Sequence, residues 1–374
     1  MIHFADPFSR FGIASMRLPH YSGWAAAIYI FYFLALAFLV MALARWNPLR
    51  PGAIKSQSNI FRGPNLRVAL VAFLLTAVAI IFHPLSAPRP DGKLHVDFLD
   101  VGQGDSALVT FPDGTTLLID GGGRPNMNRE DIDGSDAPFE PDTRSIGEAV
   151  VSEYLWSRGL DQVDYILATH ADADHIDGLN DVARNFKVRG AIVARTPAND
   201  REYQRFADTM KANGVPIDKA GPGDVLRFGA VAADVLWPPA IADDNAQSGN
   251  NDGLVLRIRY GDRVCLLAAD IEKEAEDAIL KKGIALRSDV IKVAHHGSKT
   301  SSTAAFVDAT KPRLAIISVG RTSIFGHPNR EVVERWLASG AEVMTTGKNG
   351  TISVETDGRA LNVRTFVQRK IELK

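Results

Sequence analysis

The apolar run at residues 23–44 limits this part of the chain to a single secondary structure. It carries no charged side chain, and in a bilayer only a helix satisfies every backbone N–H and C=O group within one segment. A helix of about 20 apolar residues covers the hydrocarbon core, and Trp24 and Trp46 lie where interfacial aromatic side chains are favoured. A buried core helix and a signal peptide are the alternatives, but the run is too long for the apolar part of a signal peptide and no small-residue cleavage site follows it. We therefore expect a membrane-spanning helix at 23–44.

A second apolar run, at 68–82, is shorter and reaches spanning length only with its flanks, at 66–84. The segment between the two runs holds basic side chains and no acidic one: Arg45, Arg50, Lys55, Arg62 and Arg67. The excess of basic residues in cytoplasmic loops places this segment in the cytoplasm. Two spans then put the rest of the chain on the extracytoplasmic side of the inner (cell) membrane. If only one run spans the membrane, the rest of the chain would lie on the opposite side. Residues 1–90 are thus predicted to be a membrane anchor, and 93–374 a separate domain.

Residues 93–374 have the pattern of a mixed α/β domain. Short apolar runs between Gly, Asp and Asn turns predict strands at 94–99, 106–110, 116–119, 165–169, 191–194, 254–260, 263–268, 290–293, 314–319, 342–344 and 351–355. Helical periodicity is found at 146–158, 202–213, 271–281, 300–308 and 330–338. Neither GxGxxG nor a P-loop sequence occurs, so two sheets packed face to face with helices outside fit better than a nucleotide-binding parallel sheet. The single cysteine, Cys265, excludes an internal disulfide and a multi-cysteine zinc site.

The strand predicted at 165–169 ends in a group of potential metal ligands. They are His170, Asp172, Asp174 and His175, separated only by alanines. In a loop, the side chains at i and i+2, here His170 and Asp172, point the same way. The following pair, Asp174 and His175, can reach a neighbouring point, so the arrangement suits two metal ions. Imidazole with carboxylate suits zinc or manganese, and a higher carboxylate share favours manganese. The alternative is a solvated acidic loop that caps a helix.

Further candidates follow other predicted strands. Asp270 could bridge two metals or could cap the next helix. His295 and His296 are adjacent and precede a glycine, a pattern that favours a functional role over core packing. Asp120 is expected to orient a metal ligand, with a plain Asp-Gly turn as the alternative.

Three weaker candidates lie in glycine-containing loops. Asp105 and Ser106 could hydrogen-bond to metal ligands or to a substrate, or could simply form a β-turn. His327, in the sequence Gly-His-Pro, is either a functional group or an ordinary loop histidine.

Taken in order, these motifs resemble those of the metallo-β-lactamase superfamily. More narrowly, the chain resembles the C-terminal domain of ComEC competence proteins, which carry transforming DNA across the inner membrane. The matching segments are 98–106 (FLDVGQGDS), 118–122 (LIDGG), 170–175 (HADADH), 250–256 (NNDGLVL), 295–298 (HHGS) and 326–328 (GHP). Aspartate at position 172, where most of the superfamily has histidine, is typical of the ComEC-like branch.

The resemblance implies a metallo-β-lactamase αββα sandwich preceded by two transmembrane helices. It implies that one or two divalent metal ions, Mn or Zn, are held by these residues: His170, Asp172, Asp174, His175, Asp270 and His295. Asp270 would be the bridging aspartate. Around the ligands, the residues expected to support them or to contact substrate are Asp105, Ser106, Asp120 and Asn251.

Three features depart from the family pattern. Full ComEC proteins have an OB-like domain and a many-helix channel where only two candidate spans are found, so a separate competence channel protein is an expected partner beside the membrane. No histidine occurs between His175 and Asp270, so the first metal site lacks a ligand that is usual elsewhere in the superfamily. Ala269 stands where the superfamily usually has glycine, a change that should be tolerated if the backbone φ there is not positive.

The expected function is metal-dependent hydrolysis of DNA phosphodiesters during competence-type uptake. Asp174 or a histidine of the late pair would accept a proton from water, and His296 or His327 could protonate the leaving oxygen. The net charge of -2 gives no basic signature for nucleic acid. Two alternatives therefore stay open: hydrolysis of a small-molecule ester, lactone or phosphodiester, and a non-catalytic structural domain of a membrane complex.

Overall fold

The computed structural model describes residues 23–44, 64–82, 90–124, 144–239, 248–367 and 369–373. The chain divides into two compact units. The first comprises Met1–Pro88 and Leu155–Asp161, and the second comprises Arg89–Tyr154 and Gln162–Lys374. The basic segment at 45–63, Trp46 and the linker at 83–89 lie outside the described residues.

The first unit contains two long apolar helices. A 3₁₀ turn (Gly23–Ala26) leads into helix α1 (Ala27–Ala44), and helix α2 covers Pro64–Phe82. Both expose large apolar side chains, and Tyr32 on α1 stacks on Phe73 of α2 with ring centroids 5.1 Å apart. By length and composition both are candidate membrane spans, at Trp24–Ala44 and Asn65–Phe82. An apolar surface of this kind is stable in lipid and costly in water, so the two helices suggest membrane association.

The second unit is built on two sheets. The strands are β1 (Leu94–Phe98), β2 (Ala107–Thr110), β3 (Thr116–Ile119), β4 (Gln162–Ala168), β5 (Lys187–Val193), β6 (Ile217–Lys219), β7 (Val225–Phe228), β8 (Val231–Trp237), β9 (Val255–Tyr260), β10 (Arg263–Leu267), β11 (Val290–Lys292), β12 (Leu314–Ile317), β13 (Glu342–Thr345), β14 (Ile352–Thr356), β15 (Leu361–Thr365) and β16 (Arg369–Leu373). A 9-stranded sheet has the order β16-β15-β14-β1-β2-β3-β4-β5-β6, and a 7-stranded sheet has the order β13-β12-β11-β10-β9-β8-β7.

Further helices follow along the chain, and several of them cover the sheets. In chain order they are α3 (Glu153–Ser157, which continues a π-helical turn at Gly147–Ser152), α4 (Ala173–Asn185), α5 (Arg201–Ala212), α6 (Lys273–Lys281), α7 (Ala304–Thr310), α8 (Arg330–Ala338) and α9 (Thr346–Asn349). Helix α4 packs on β4 and β5, and α5 packs on α4. Helices α6, α7 and α8 lie along the other sheet, where Phe306 and Trp336 are fully buried.

Strand β12 shows how the layers are held together. Leu314 and Ile316 point into the core between the two sheets, whereas Ala315 packs on the other side with Phe306 and Trp336. Successive side chains of a strand point to opposite faces, so an apolar run without alternation marks a strand that is covered on both sides. The predicted αββα sandwich is confirmed.

The predicted strands are all present, but several elements were not predicted: β6, β7, β8, β15, β16, α4 and α9. Strand β8 is buried throughout. Asp234 interrupts its apolar pattern, and this charge is compatible with burial because it forms ion pairs with Arg257 and Arg259 of the adjacent strand. Helix α4 begins inside the segment that was predicted to be a loop, with Asp172 at its N-cap position. Ile176, Leu179 and Val182, all buried on α4, supply the helical spacing that could have revealed it.

Candidate metal centre

The ends of four strands bring the candidate residues together. Strands β3 and β4 are parallel neighbours in one sheet, and β10 and β11 are parallel neighbours in the other. The carboxyl ends of parallel strands meet at one edge of a sheet. Asp120, His170, Asp270 and His296 each follow one of these ends, so they converge although they are far apart in sequence.

Five of the predicted residues form a compact group, which we call the donor cluster: His170, Asp174, His175, Asp270 and His296. Asp270 lies at its centre, since its Oδ2 is 3.2 Å from His175 Nε2 and 3.1 Å from His296 Nε2. Asp174 Oδ2 is 3.4 Å from His296 Nε2. Possible ligand atoms of His170, His175 and Asp270 lie within 4.8 Å of one another, as do those of Asp174, His175 and His296. Spacings of this size leave room for a cation between the groups.

The imidazole rings are oriented from behind through their Nδ1 atoms. The Asp120 carboxylate faces His175 Nδ1 at 2.8 Å and accepts the Thr169 hydroxyl at 2.8 Å. The same hydroxyl is 2.9 Å from His170 Nδ1. The Ser318 carbonyl lies 2.9 Å from His296 Nδ1. Carbonyl and carboxylate partners of this kind fix the ring orientation of metal-binding histidines.

The Nε2 atoms of the same three rings, His170, His175 and His296, are buried and make no hydrogen bond. A buried nitrogen without a partner is unfavourable unless another group binds it. Three such atoms converging on the carboxylates of Asp174 and Asp270 match the nitrogen and oxygen ligands that divalent zinc or manganese takes. The residues present therefore fit one or two divalent cations.

Carboxylates dominate the electrostatics of the rings. Burial alone would lower the pKa of His175, but Asp270 and Asp120 outweigh it and hold the pKa well above the ordinary value. At His296 burial is likewise outweighed, by Asp270 and Asp105. Metal ligation needs unprotonated imidazole, so a cation bound among these groups would replace the ring protons.

The carboxyl groups shift in the opposite direction. Burial would raise the pKa of Asp270, but His296, His175 and Lys292 hold it well below the ordinary value. At Asp174 burial is likewise outweighed, by the nearby imidazoles of His296 and His175, and the pKa falls. Both side chains are therefore carboxylates at neutral pH, the form that binds metal.

Lys292 lies beneath the cluster, in a position that was not predicted. Its side chain is buried and forms ion pairs with Asp105 and with Asp270, whose Oδ1 is 3.1 Å from Nζ. Nζ also donates to the Ala269 carbonyl oxygen at 2.8 Å. Val290 and Lys292 share one face of β11, and Val290 is in the core, so the inward direction of Lys292 follows from the period of the strand.

The backbone is strained at several residues around the cluster. Positive φ angles occur at Asp120 (57°), Ala269 (48°), His295 (48°) and His296 (50°). The left-handed conformation costs a residue other than glycine about 1–2 kcal/mol, and such strain concentrates at functional sites. Alanine at position 269 was expected to be tolerated if its φ angle was not positive. The angle is positive, so Ala269 adopts the conformation that favours glycine.

The two neighbouring histidines have different surroundings. His296 joins the donor cluster, whereas His295 Nδ1 lies 3.2 Å from Glu272 Oε1 and 3.3 Å from Thr300 Oγ1. His295 belongs to none of the ligand groupings among the described residues. The structure thus places His296, and not His295, beside the other possible ligands.

Other predicted residues lie beside the cluster rather than in it. Asp172 has an exposed side chain, with Oδ2 3.6 Å from His170 Nε2. Ser106 is buried, next to Asp105. Asn251 caps the start of α6, because its Oδ1 accepts the backbone N–H of Glu272 at 2.8 Å. The expected role of Asn251 in supporting the ligands or contacting substrate stays a prediction.

A cleft of about 500 Å³ opens over the cluster. Its lining includes Asp174, Asp270 and His296 from the cluster, and beside them Asp172, Asp200, Arg201, Glu202, Asn250, His295, Phe325 and His327. Burial lowers the pKa of His327, and His296 and His295 lower it further. Among the described residues of this lining, Arg201 is the only lysine or arginine. An anion could approach so acidic a cleft only if a bound cation reversed its charge.

Comparison with known proteins agrees with this geometry. The sequence model of the metallo-beta-lactamase superfamily matches residues 99–321. The chain is 32% identical over 265 residues to ComE operon protein 3 of Bacillus subtilis, which covers 71% of this chain and 33% of that protein. It is 24% identical over 354 residues to competence protein ComA of Neisseria gonorrhoeae, which covers 94% of this chain and 41% of that protein. The chain thus spans between a third and two fifths of the length of these relatives.

Among solved structures, the metallo-beta-lactamase fold protein YhfI from Bacillus subtilis aligns with a TM-score of 0.45 at 11% identity, covering 70% of this chain and 100% of that one. The superfamily match spans more than half of the chain and includes both the 170–175 motif and the residues around Asp270 and His296. The chain therefore belongs to the metallo-β-lactamase superfamily, and within it is similar to bacterial competence proteins.

Proposed function

We propose that the second unit is a metal-dependent phosphodiesterase that cleaves DNA during competence-type uptake. The observation that carries the proposal is the donor cluster, three oriented imidazoles and two carboxylates at the floor of an open cleft. The names of the relatives, a competence protein and a product of the ComE operon, support the link to DNA uptake.

We assign His170, Asp174, His175, Asp270 and His296 as the ligands of one or two Mn²⁺ or Zn²⁺ ions. Asp172 would join them by turning its exposed side chain toward His170. When bound, the cation would supply Lewis-acid activation of water and neutralise charge on the phosphodiester. This assignment gives His296 the ligand role that the sequence suggests for His295.

The proton of the attacking water is accepted by His327 rather than by Asp174. A carboxylate whose pKa is lowered, as at Asp174, holds a cation well but is a weak proton acceptor. His327 lines the cleft and has a lowered pKa, so its ring is unprotonated at neutral pH. It is therefore suited to accept the proton of the attacking water, whereas the sequence suggests that it protonates the leaving oxygen; the leaving oxygen would instead take its proton from solvent in the open cleft.

The membrane helices set the location of the reaction. With two spans and a cytoplasmic basic segment between them, the second unit lies on the extracytoplasmic side of the cell membrane, and a separate channel protein would carry the strand inward. A reporter domain joined after Lys374 is then active only outside the cytoplasm. Activity confined to the cytoplasm would overturn the two-span arrangement.

The test uses the full chain purified in detergent, with Mn²⁺ and Zn²⁺ titrations on labelled single- and double-stranded DNA and on a small phosphodiester. We expect metal-dependent DNA cleavage that falls at least about 100-fold when Asp172→Ala is combined with Asp174→Ala. Asp218→Ala, which removes an exposed carboxylate on β6, is the matched control and keeps full activity. Turnover of the small phosphodiester alone would instead indicate a small-molecule hydrolase, and a chain that binds no metal would indicate a structural domain.

A further inference from the structure

An exposed apolar pair lies at the rim of the cleft. Ile324 and Phe325 expose 66% and 49% of their surfaces in the loop between β12 and α8. The exposed pair Phe366 and Val367, in contrast, is not part of the cleft lining. Of these two pairs only the first reaches the cleft, through Phe325. Exposed apolar surface rimmed by polar groups is typical of a binding site.

The loop that carries Phe325 is fixed by hydrogen bonds. The Ser323 hydroxyl donates to Gln103 Oε1 at 3.0 Å and accepts the Phe325 N–H at 3.3 Å. The Gly326 N–H donates to the Ser323 carbonyl at 3.2 Å, and the Asn329 N–H donates to the Gly297 carbonyl at 2.8 Å. The aromatic ring is thus presented by an anchored loop, so a planar group can stack on it without first ordering the segment.

A row of rings leads from the rim to the donor cluster. The Phe325 ring centroid is 6.0 Å from that of His327, with the planes 30° apart. His327 is 5.8 Å from His295, which is 6.2 Å from His296 of the cluster. A ligand with flat apolar parts along an anionic chain could therefore place one flat part on Phe325 and extend an anionic part toward the metal ligands.

We propose that Phe325 is a stacking platform for one unpaired nucleobase of the substrate strand, so that the site takes single-stranded DNA. This inference rests on the proposed function. In a duplex each base face is already stacked on its neighbours, whereas an unpaired base offers its face to an aromatic side chain. Stacking of this kind tolerates any base, and its loss weakens binding by about 5- to 100-fold.

The experiment compares the full chain with Phe325→Ala and Phe325→Trp. Phe366→Ala is the matched control, because it removes a phenyl ring that is also exposed but lies outside the cleft. The probes are a labelled single-stranded oligonucleotide, its duplex, and an abasic oligonucleotide with the same backbone, each measured for affinity in Ca²⁺ and for cleavage in Mn²⁺.

We expect Phe325→Ala to weaken binding of the ordinary single strand by about 5- to 100-fold and to leave the abasic strand unchanged. Phe325→Trp and Phe366→Ala should bind both strands as the unaltered chain does. Equal losses on the ordinary and abasic strands, or no loss on either, would overturn the platform while the proposed function stands. If the unaltered chain cleaves no DNA with any metal, the proposed function fails and the platform fails with it.

Discussion

Replacement of Lys292 by methionine tests the buried charges beneath the donor cluster. Lys292 Nζ makes ion pairs with Asp105 and Asp270 and donates to the Ala269 carbonyl oxygen. Methionine fills similar space but leaves two buried carboxylates without their cation. Burial would lower the pKa of Lys292, yet Asp105 and Asp270 hold it above the ordinary value, so the group is charged at neutral pH.

Removing one partner of a buried ion pair costs about 3–5 kcal/mol. A domain of this size changes its midpoint by about 2–4 °C per kcal/mol, so Lys292→Met should lower the Tm of the second unit by about 6–20 °C. The measurement is thermal and urea unfolding of the full chain in EDTA, followed by tryptophan fluorescence. Lys299→Met, at an exposed lysine, is the matched control and should change the Tm little.

A double-variant cycle separates the ion pair from general loss of packing. Asp105→Asn removes one of the two charges that Lys292 neutralises, so the double variant should lose less stability than the sum of the single variants, by at least about 1 kcal/mol. If Lys292→Met lowered the free energy of unfolding by less than about 1 kcal/mol, or if its effect and that of Asp105→Asn were strictly additive, the ion pair would not stabilise the fold as inferred.

Two further outcomes follow from the backbone and from the imidazoles. Ala269→Gly should raise the free energy of unfolding by about 1 kcal/mol, because relief of the positive φ outweighs the added entropy of the unfolded glycine. A lower free energy of unfolding in urea would contradict backbone strain at Ala269. His175 and His296 have pKa values raised in the metal-free fold, so their stabilisation is complete below the unfolded value of about 6.5 and is lost as pH rises through the folded values. In EDTA the unfolding free energy should therefore fall above about pH 6.5 while Mn²⁺ affinity rises over the same range; an increase in metal-free stability over that range would refute this account.

The layers of the fold could be predicted because they depend on local patterns. Strands such as β10 and β12 are apolar runs bounded by turns, and their ends carry the polar side chains. Strand β8 was missed because Asp234 interrupts its apolar run, and only the pairing with Arg257 and Arg259 on the adjacent strand makes that charge compatible with burial.

The composition of the site was also predictable, but the direction of each side chain was not. Spacing identifies His295 and His296 as a pair, and both adopt positive φ. Which ring enters the cluster is decided by distant partners, the Ser318 carbonyl for His296 and Glu272 for His295. The burial of Lys292 could not be predicted from the local sequence either, because a lysine is buried only when long-range carboxylates neutralise it.

The start of α4 shows the same dependence on tertiary structure. The alternation of Ala with His and Asp at 170–175 indicates a loop, yet the helix begins at Ala173, so Asp174 and His175 occupy its first turn. The Asp120 carboxylate then holds His175 through Nδ1, a contact between residues on separate strands and helices that no local pattern contains.

The most direct test of the central claim is metal binding by the two neighbouring histidine variants. Mn²⁺ and Zn²⁺ bound per chain would be measured by elemental analysis and by equilibrium titration for the unaltered chain, His296→Ala and His295→Ala, with circular dichroism to check that each is folded. We expect the unaltered chain and His295→Ala to bind alike, and His296→Ala to lose at least about tenfold in affinity. Loss of metal in His295→Ala with retention in His296→Ala, or an unaltered chain that binds neither ion, would contradict the donor cluster as the metal site.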